Sequence, residues 1–258
     1  MSAKSHHLYD DKAFLYDLLY SYKDYGGEIK ALLHHLEQHG VGTSFEAHIV
    51  DLACGTGEHV KYLAEALPEA TIHGVDLNKG VIDHATAKQL GDKVSFSAED
   101  MVGFFEHDNH RYDLVVCLFA SLQYITETRQ LKQLLANIYD RLKPDCAFVF
   151  DLRYAREHWL DGHIVASTHK EPDIEVAMFG MPFRNENMVT WNPALFWKTR
   201  DGKLDMTIDE HTIRLYSVDE IKSYLQEAGF KTEVTSGFGD KSYDGSIFPV
   251  FYAFKEKA

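Results

Sequence analysis

Basic residues are in short supply: 26 Lys and Arg stand against 40 Asp and Glu, a formal charge of -14 over 258 residues. That balance argues against a general affinity for nucleic acid or for an anionic membrane, although a local basic groove stays open. Cysteine is scarcer still. Cys54, Cys117 and Cys146 are the three in the chain, and with no C-x-x-C spacing they argue against a disulfide framework or a thiolate metal site. Two of them lie in strand-like runs, where a small buried hydrophobe fits. No run of about 18 apolar residues is present to span a membrane, and the start MSAKSHHLYDDK lacks the apolar core of a signal peptide. The expectation is a cytoplasmic protein. Prolines number six, with no Pro-rich linker, repeat or low-complexity segment to divide the chain.

What is present suits one α/β domain over residues 1–258. Hydrophobic residues make up 45% and aromatics 13%, enough to bury a sizeable core. Residues 12–22 and 28–39 carry Phe14, Leu15, Leu18 and Leu19, then Ile29, Leu32, Leu33 and Leu36, at helical spacing. Gly40 and Gly42 close this N-terminal helical region, 1–46. Short apolar runs then alternate with helix-length polar segments, the pattern of strands joined by crossover helices. Strands are expected at 47–52, 71–76, 93–98, 112–118 and 146–152, and helices at 57–67, 78–90 and 127–141. Asn78 and Thr126 stand as N-caps, with Pro144 beyond the last turn. The segment 160–216 differs in character, reading as antiparallel strands with turns at Arg184-Asn185-Glu186-Asn187 and Asp201-Gly202. It is expected to be an inserted substrate cap. A helix with Ser217 and Glu220 in capping-box spacing and Gly229 as its stop follows. Strands at 231–238 and 248–254 then close a Rossmann-like, seven-stranded, mostly parallel sheet with helices on both faces.

The most informative peptide is Asp51-Leu52-Ala53-Cys54-Gly55-Thr56-Gly57, at the turn from the first strand into its helix. Glycines there permit a tight turn and a close approach to a nucleotide. Roughly 20 residues on, Asp76 ends the second strand, where a carboxylate can accept both hydroxyls of a ribose. Asp100-Met101 follows the third strand and suits an adenine amino group and ring face. A dinucleotide fold would carry a third glycine where Val60 stands, beneath a pyrophosphate.

The peptide DLACGTG resembles the first motif of class I S-adenosylmethionine (SAM)-dependent methyltransferases. Asp76, Asp100-Met101, the strand YDLVVCLFASLQYI and the turn Leu142-Lys143-Pro144 follow in that family's order, so the resemblance covers roughly 47–152. Where the family often has glycines after the proline, this chain has Asp145-Cys146. The resemblance implies that Asp51, Ala53, Gly55 and Gly57 line the methionyl part of SAM. Asp76 would hold the ribose with Leu77 against the adenine, Asp100 and Met101 would bind the adenine edge, and Cys117, Leu118 and Phe119 would pass beneath the cofactor. It also implies methyl transfer to a nitrogen or oxygen of a small-molecule acceptor by in-line displacement.

Phe14-Leu15-Tyr16-Asp17, Tyr20, Lys23-Asp24-Tyr25 and Ser121-Leu122-Gln123-Tyr124-Ile125 resemble the small-molecule branch that includes amino-sugar N-methyltransferases. Those enzymes place a histidine near the end of the fourth-strand loop, where Tyr124 aligns here. Tyr16, Tyr20 and Tyr124 could orient a nucleophile or face the sulfonium, whose charge suits aromatic faces. Core packing is the alternative, most strongly for Tyr20. Arg153 follows the fifth strand at the ligand-binding edge, where it could pair with an acidic group on the acceptor or form a surface salt bridge. Trp159, Trp191, Trp197 and Phe179 suggest an aromatic cap, with strand packing the alternative for two or three of them. The apolar runs of the cap can cover the site, pair with a second subunit as a homodimer, or do both. Among 15 histidines, His35 and His39 lie four apart on a helix, but no H-E-x-x-H motif accompanies them. Exposed histidines and no metal are expected. The competing functions are an NAD(P)-linked oxidoreductase, a SAM enzyme that does not methylate, for example by cyclisation, and a catalytically silent SAM-binding module.

Overall fold

The computed structural model describes residues 7–9, 12–41 and 46–257; Gly42 and most of the opening dodecapeptide lie outside these. Helices α1 (Ala13–Leu19) and α2 (Tyr25–Gln38) precede the sheet. Asp24 caps α2 by accepting the Gly27 amide at 2.8 Å, and the chain turns away after it through Gly40 at φ 72°, so the helical spacing of leucines is terminated by local chemistry. The Rossmann core then alternates: β1 (His48–Leu52), α3 (Glu58–Ala66), β2 (Thr71–Asp76), α4 (Lys79–Ala87), β3 (Val94–Ala98), a single turn α5 (Phe104–His107), β4 (Tyr112–Cys117), α6 (Thr128–Arg141) and β5 (Leu142–Asp151).

An antiparallel excursion follows, with β6 (Val165–Glu171), β7 (Ile174–Gly180), β8 (Phe183–Asn185), β9 (Met188–Trp191), β10 (Ala194–Thr199), β11 (Leu204–Ile208) and β12 (His211–Arg214). The chain returns through α7 (Val218–Ala228) to β13 (Lys231–Ser236) and β14 (Pro249–Lys255). The main sheet has the order β13-β14-β5-β4-β1-β2-β3. Its first five strands are parallel, while β14 enters antiparallel between β5 and β13. The expected seven-stranded, mostly parallel sheet with N-terminal helices and an antiparallel cap is therefore the observed fold. β4 is buried at every position, as expected of a central parallel strand covered on both faces. Two apolar clusters cover those faces, one built on α6 and α7 and the other on α2 and α3.

Several local expectations change. Asn78 stands at the start of α4 but its side chain gives no cap bond; its amide bonds Asp76 instead. Glu127, not Thr126, precedes α6. Pro144 stands beyond the last turn of α6 as expected and already lies within β5, while Asp145 takes a left-handed conformation at φ 59°, so it serves the turn that glycine serves elsewhere. The Ser217 hydroxyl does cap α7, accepting the Glu220 amide at 3.1 Å. His35, expected on an exposed face, is buried against the ring of Tyr252 at 3.9 Å between centroids.

Candidate active site

The strand–turn–helix junctions of the core converge on one cavity of about 420 Å³ at the carboxyl edge of the sheet, within the range of roughly 300–1,000 Å³ usual for small-molecule sites. Four peptides from the core, after β1, β2, β3 and β4, form its floor. The first is the glycine turn. Gly55 sits at φ 56° with open space where a Cβ would project, and its amide donates to Asp76 Oδ2 at 3.0 Å. Asp76 also accepts from the Asn78 amide at 2.9 Å. Burial raises the Asp76 pKa, partly offset by these two amides. Each carboxylate oxygen offers two lone-pair positions, so capacity remains for a ligand's hydroxyls. Beside it Leu77 is 67% exposed, an apolar side chain with nothing packed over it on a cavity wall. Asp100 spends one oxygen on the Val102 amide and keeps the other, next to Met101.

The last floor peptide follows β4, where Phe119 and Ala120 are both left-handed at φ 62°. Two consecutive non-glycine residues in that region are strained, and such strain gathers at functional sites. Asp151, at the end of β5, holds the turn by accepting the Ala120 amide at 3.2 Å. Burial, opposed in part by that amide, pushes the Asp151 carboxyl up to about 6 from 3.8. Since the folded value is the higher one, the contribution to stability is full below pH 3.8 and is lost as pH rises through about 6. Asp151→Asn keeps the acceptor for Ala120 and removes the titration. We expect its stability relative to wild type to improve by on the order of 3 kcal/mol between pH 4 and pH 7.5. Denaturant melts at the two pH values measure this, and parallel curves would refute it.

α1 closes the cavity from above. Asp17 fixes it there, accepting from Thr56 Oγ1 of the glycine turn and pairing with His84 Nε2 at 3.0 Å and Lys88 Nζ at 2.9 Å, both from the α4 segment. Tyr16 and Tyr20, one helical turn apart, line the wall with ring centroids 4.7 Å apart, and Tyr20 meets Phe119 edge-on at 5.0 Å.

The cap supplies the far wall. Along β7, Val176 and Met178 are buried toward α1 while Phe179 is 45% exposed, because neighbours on a strand point to opposite faces. Phe179, expected over the site, therefore faces away from it, on the side that carries Phe196 and Met206. Met178 lines the cavity in its place. Trp159 and Trp191 also line it, and the indole nitrogen of Trp191 is buried without a partner. Trp197 packs within the cap against Leu195 and Val176 instead.

Of the residues expected at the cofactor, Ala53, Gly55, Asp76, Leu77, Asp100, Met101 and Phe119 line the cavity. Asp51, Gly57, Cys117 and Leu118 do not. Cys117 and Leu118 are fully packed in the two opposite clusters, and the Cα hydrogen side of Gly57 faces Phe96 and Ala85 rather than open space. Asp51 is buried beneath the turn, where burial and then the charge of Asp76 push its pKa well up. These four support the floor from below.

Tyr124 and Arg153 line the cavity as expected. Among the described residues Arg153 has no ion pair, so the surface salt bridge is not formed; its guanidinium lies 5.7 Å from the Tyr154 ring centroid. Gln123, fully buried, accepts the Arg153 amide at 2.9 Å and donates to the Arg214 carbonyl, tying the β4 loop to β5 and to the cap. Tyr124 reveals what the sequence concealed. Its hydroxyl is 3.1 Å from the Tyr9 hydroxyl and 3.1 Å from Nδ1 of His211, and His211 Nε2 lies 3.7 Å from Asp209 Oδ2. Burial pushes the Tyr124 phenol well above its ordinary range. The histidine beside Tyr124 comes from the first position of β12, 87 residues later. The run Asp209-Glu210-His211, polar in the middle of an apolar strand pattern, was the signal for it.

A Rossmann-like sheet with a glycine turn, a carboxylate closing the second strand and another after the third defines the class of SAM-binding enzymes built on this fold. Residues 49–145 match the family described as methyltransferase domain. The chain is 26% identical over 230 residues to the dTDP-3-amino-3,4,6-trideoxy-alpha-D-glucopyranose N,N-dimethyltransferase of Streptomyces venezuelae, covering 88% of this chain and 93% of that enzyme. Its fold is shared with the sugar N-methyltransferase KedS8 from Streptoalloteichus sp., with a TM-score of 0.80, 20% identity and coverage of 100% and 97%. A SAM-dependent methyltransferase from Clostridium acetobutylicum overlays with a TM-score of 0.79, 20% identity and coverage of 96% and 98%. Residues 49–145 form a methyltransferase domain, and the enzyme is of the SAM-dependent kind. Among the described residues, no helix is long and apolar enough to cross a membrane.

Proposed function

We propose that this enzyme methylates the amino nitrogen of a small, sugar-like acceptor carrying an acidic group, with Tyr124 over the reacting atom. SAM bound in the cavity supplies an activated methyl group, transferred by in-line displacement from a sulfonium that leaves as a neutral thioether. The floor fits that cofactor: Gly55 leaves room for the amino-acid tail, Asp76 has lone pairs for the ribose hydroxyls, exposed Leu77 offers an adenine face, and Asp100 with Met101 meets the adenine edge. Tyr16 and Phe119 line the space between this floor and the cap, and their ring faces suit a sulfonium.

On the acceptor side, the unpaired Arg153 offers a fork for a carboxylate or phosphate, and the Trp191 N–H offers a further donor. The observation that carries the proposal is the Tyr124–His211–Asp209 chain. An ammonium acceptor must lose a proton before its lone pair can attack. Tyr124, donating to His211 Nδ1, presents an oxygen lone pair to that proton, while Asp209 lies where it would favour a cationic imidazole. The similar Streptomyces venezuelae enzyme is named for an amino-sugar nucleotide, which combines the amine and the anion these residues suit.

Methyl-labelled SAM offered with an amino-sugar nucleotide and with its hydroxyl counterpart tests the reading. Label is expected only on the amine; transfer to the hydroxyl counterpart alone would refute it. Cap residues sharpen the test. Met178→Ala is expected to raise the acceptor KM about 10-fold, the scale of a lost buried thioether side chain, with SAM affinity unchanged. Phe179→Ala should leave acceptor kinetics as they are. The reverse pattern would mean that the outer face of the cap meets the acceptor.

A further inference from the structure

Far from the cavity, α2 and β13 bring together His35, His39 and Glu233, one donor atom from each lying within 4.8 Å of the others. None of the three lines the active-site cavity. We propose that they form a binding site for a divalent transition metal of the zinc type, joining the N-terminal helices to the edge of the main sheet.

The side chains are already oriented as ligands. The Nδ1 of His39 lies 2.8 Å from the His35 carbonyl, which can only accept, so Nδ1 carries the proton and Nε2 has its lone pair toward Glu233, 2.9 Å away. His35 Nδ1 lies 3.0 Å from the Asp240 carboxylate, which again places the proton on Nδ1 and turns Nε2 to the same point, 3.7 Å from Glu233 Oε2. A carboxylate or carbonyl behind each ring is how ligating histidines are fixed in tautomer and angle. The two separations from Glu233, 2.9 and 3.7 Å, suit a tetrahedral ion with bonds of about 2.0–2.2 Å.

A protonated His39 paired with Glu233 accounts for one contact and leaves the other unexplained. His35 is buried to 1% exposure and its Nε2 has no hydrogen-bond partner. A buried imidazole nitrogen with its lone pair aimed at a carboxylate oxygen is repelled unless a cation stands between them. Two imidazoles are borderline donors, and beside a single hard carboxylate they favour zinc over magnesium or calcium. His39 and Glu233 are each about one-third exposed, so a fourth position opens to water. The sequence spacing alone argued against a metal, because the third ligand comes from β13, some 200 residues away.

The full chain, stripped with chelator, is titrated with zinc chloride and then with cobalt(II) as a spectroscopic probe. We expect about one equivalent bound, an intense visible cobalt band of a tetrahedral site, and a rise in Tm of about 5 °C at a hundredfold excess of zinc over Kd. His39→Gln and Glu233→Gln, whose side chains are partly exposed, should each fold, bind SAM as wild type does, and weaken zinc at least 10-fold. Zinc binding that survives both substitutions, or none in the wild-type chain, would overturn the proposal.

Discussion

Asp76→Ala should raise the dissociation constant for SAM about 10- to 150-fold, or about 1.4–3 kcal/mol, while the protein stays folded. Asp76 has two duties at the cavity floor. Its oxygens hold the Gly55 and Asn78 amides at 3.0 and 2.9 Å, and their remaining lone pairs face the place proposed for the ribose. Alanine removes the ligand's charge-assisted hydrogen bonds and also frees the glycine turn, so the effect should exceed that of deleting a contact alone. Asp76→Asn separates the duties, because one amide oxygen can still accept from the turn. It should lose less affinity than alanine. Isothermal titration with SAM, with thermal melts as the folding control, measures both variants. An unchanged constant in a folded Asp76→Ala protein would remove Asp76 from the cofactor site. NADH should not bind either form, since Val60 is buried in the core where a pyrophosphate-binding loop would carry a glycine.

The half of the cavity proposed for the cofactor was legible because it is local. A glycine turn, then carboxylates at the ends of the next two strands, can be read off a linear pattern once strands and helices alternate, since parallel strands bring their carboxyl ends to one edge. Asp76, Asp100 and Arg153 sit where that rule puts them. The rule says which edge a residue reaches and not which way its side chain points. Asp51, Gly57, Cys117 and Leu118 accordingly turned out to lie under the floor, and Phe179 on the outer face of β7, one residue from Met178. The half proposed for the acceptor was hidden for another reason. Tyr9, Tyr124 and His211 come from three parts of the chain that meet only when β12 docks beside the β4 loop, and no spacing encodes that meeting. The same holds for Glu233 beside His35 and His39.

Tyr124→Phe is expected to lower kcat at pH 7 by about 100- to 10,000-fold, the range for losing a positioned proton acceptor, with SAM affinity unchanged. His211→Ala should do nearly as much, although His211 is buried behind Tyr124 and acts through it. If the two residues form one relay, the double variant should be little worse than either single one, since residues that act as a unit are strongly non-additive. The pH profile distinguishes a relay from mere packing. Below the pKa of the acceptor amine, its neutral fraction grows about tenfold per pH unit, so solvent increasingly does the work of the missing hydroxyl. The kcat of Tyr124→Phe should therefore climb toward the wild-type value between pH 7 and pH 9. A variant that had only lost packing would stay low at every pH. A flat deficit in Tyr124→Phe, with amine as the methylated product, would refute the relay while leaving the methyl transfer intact.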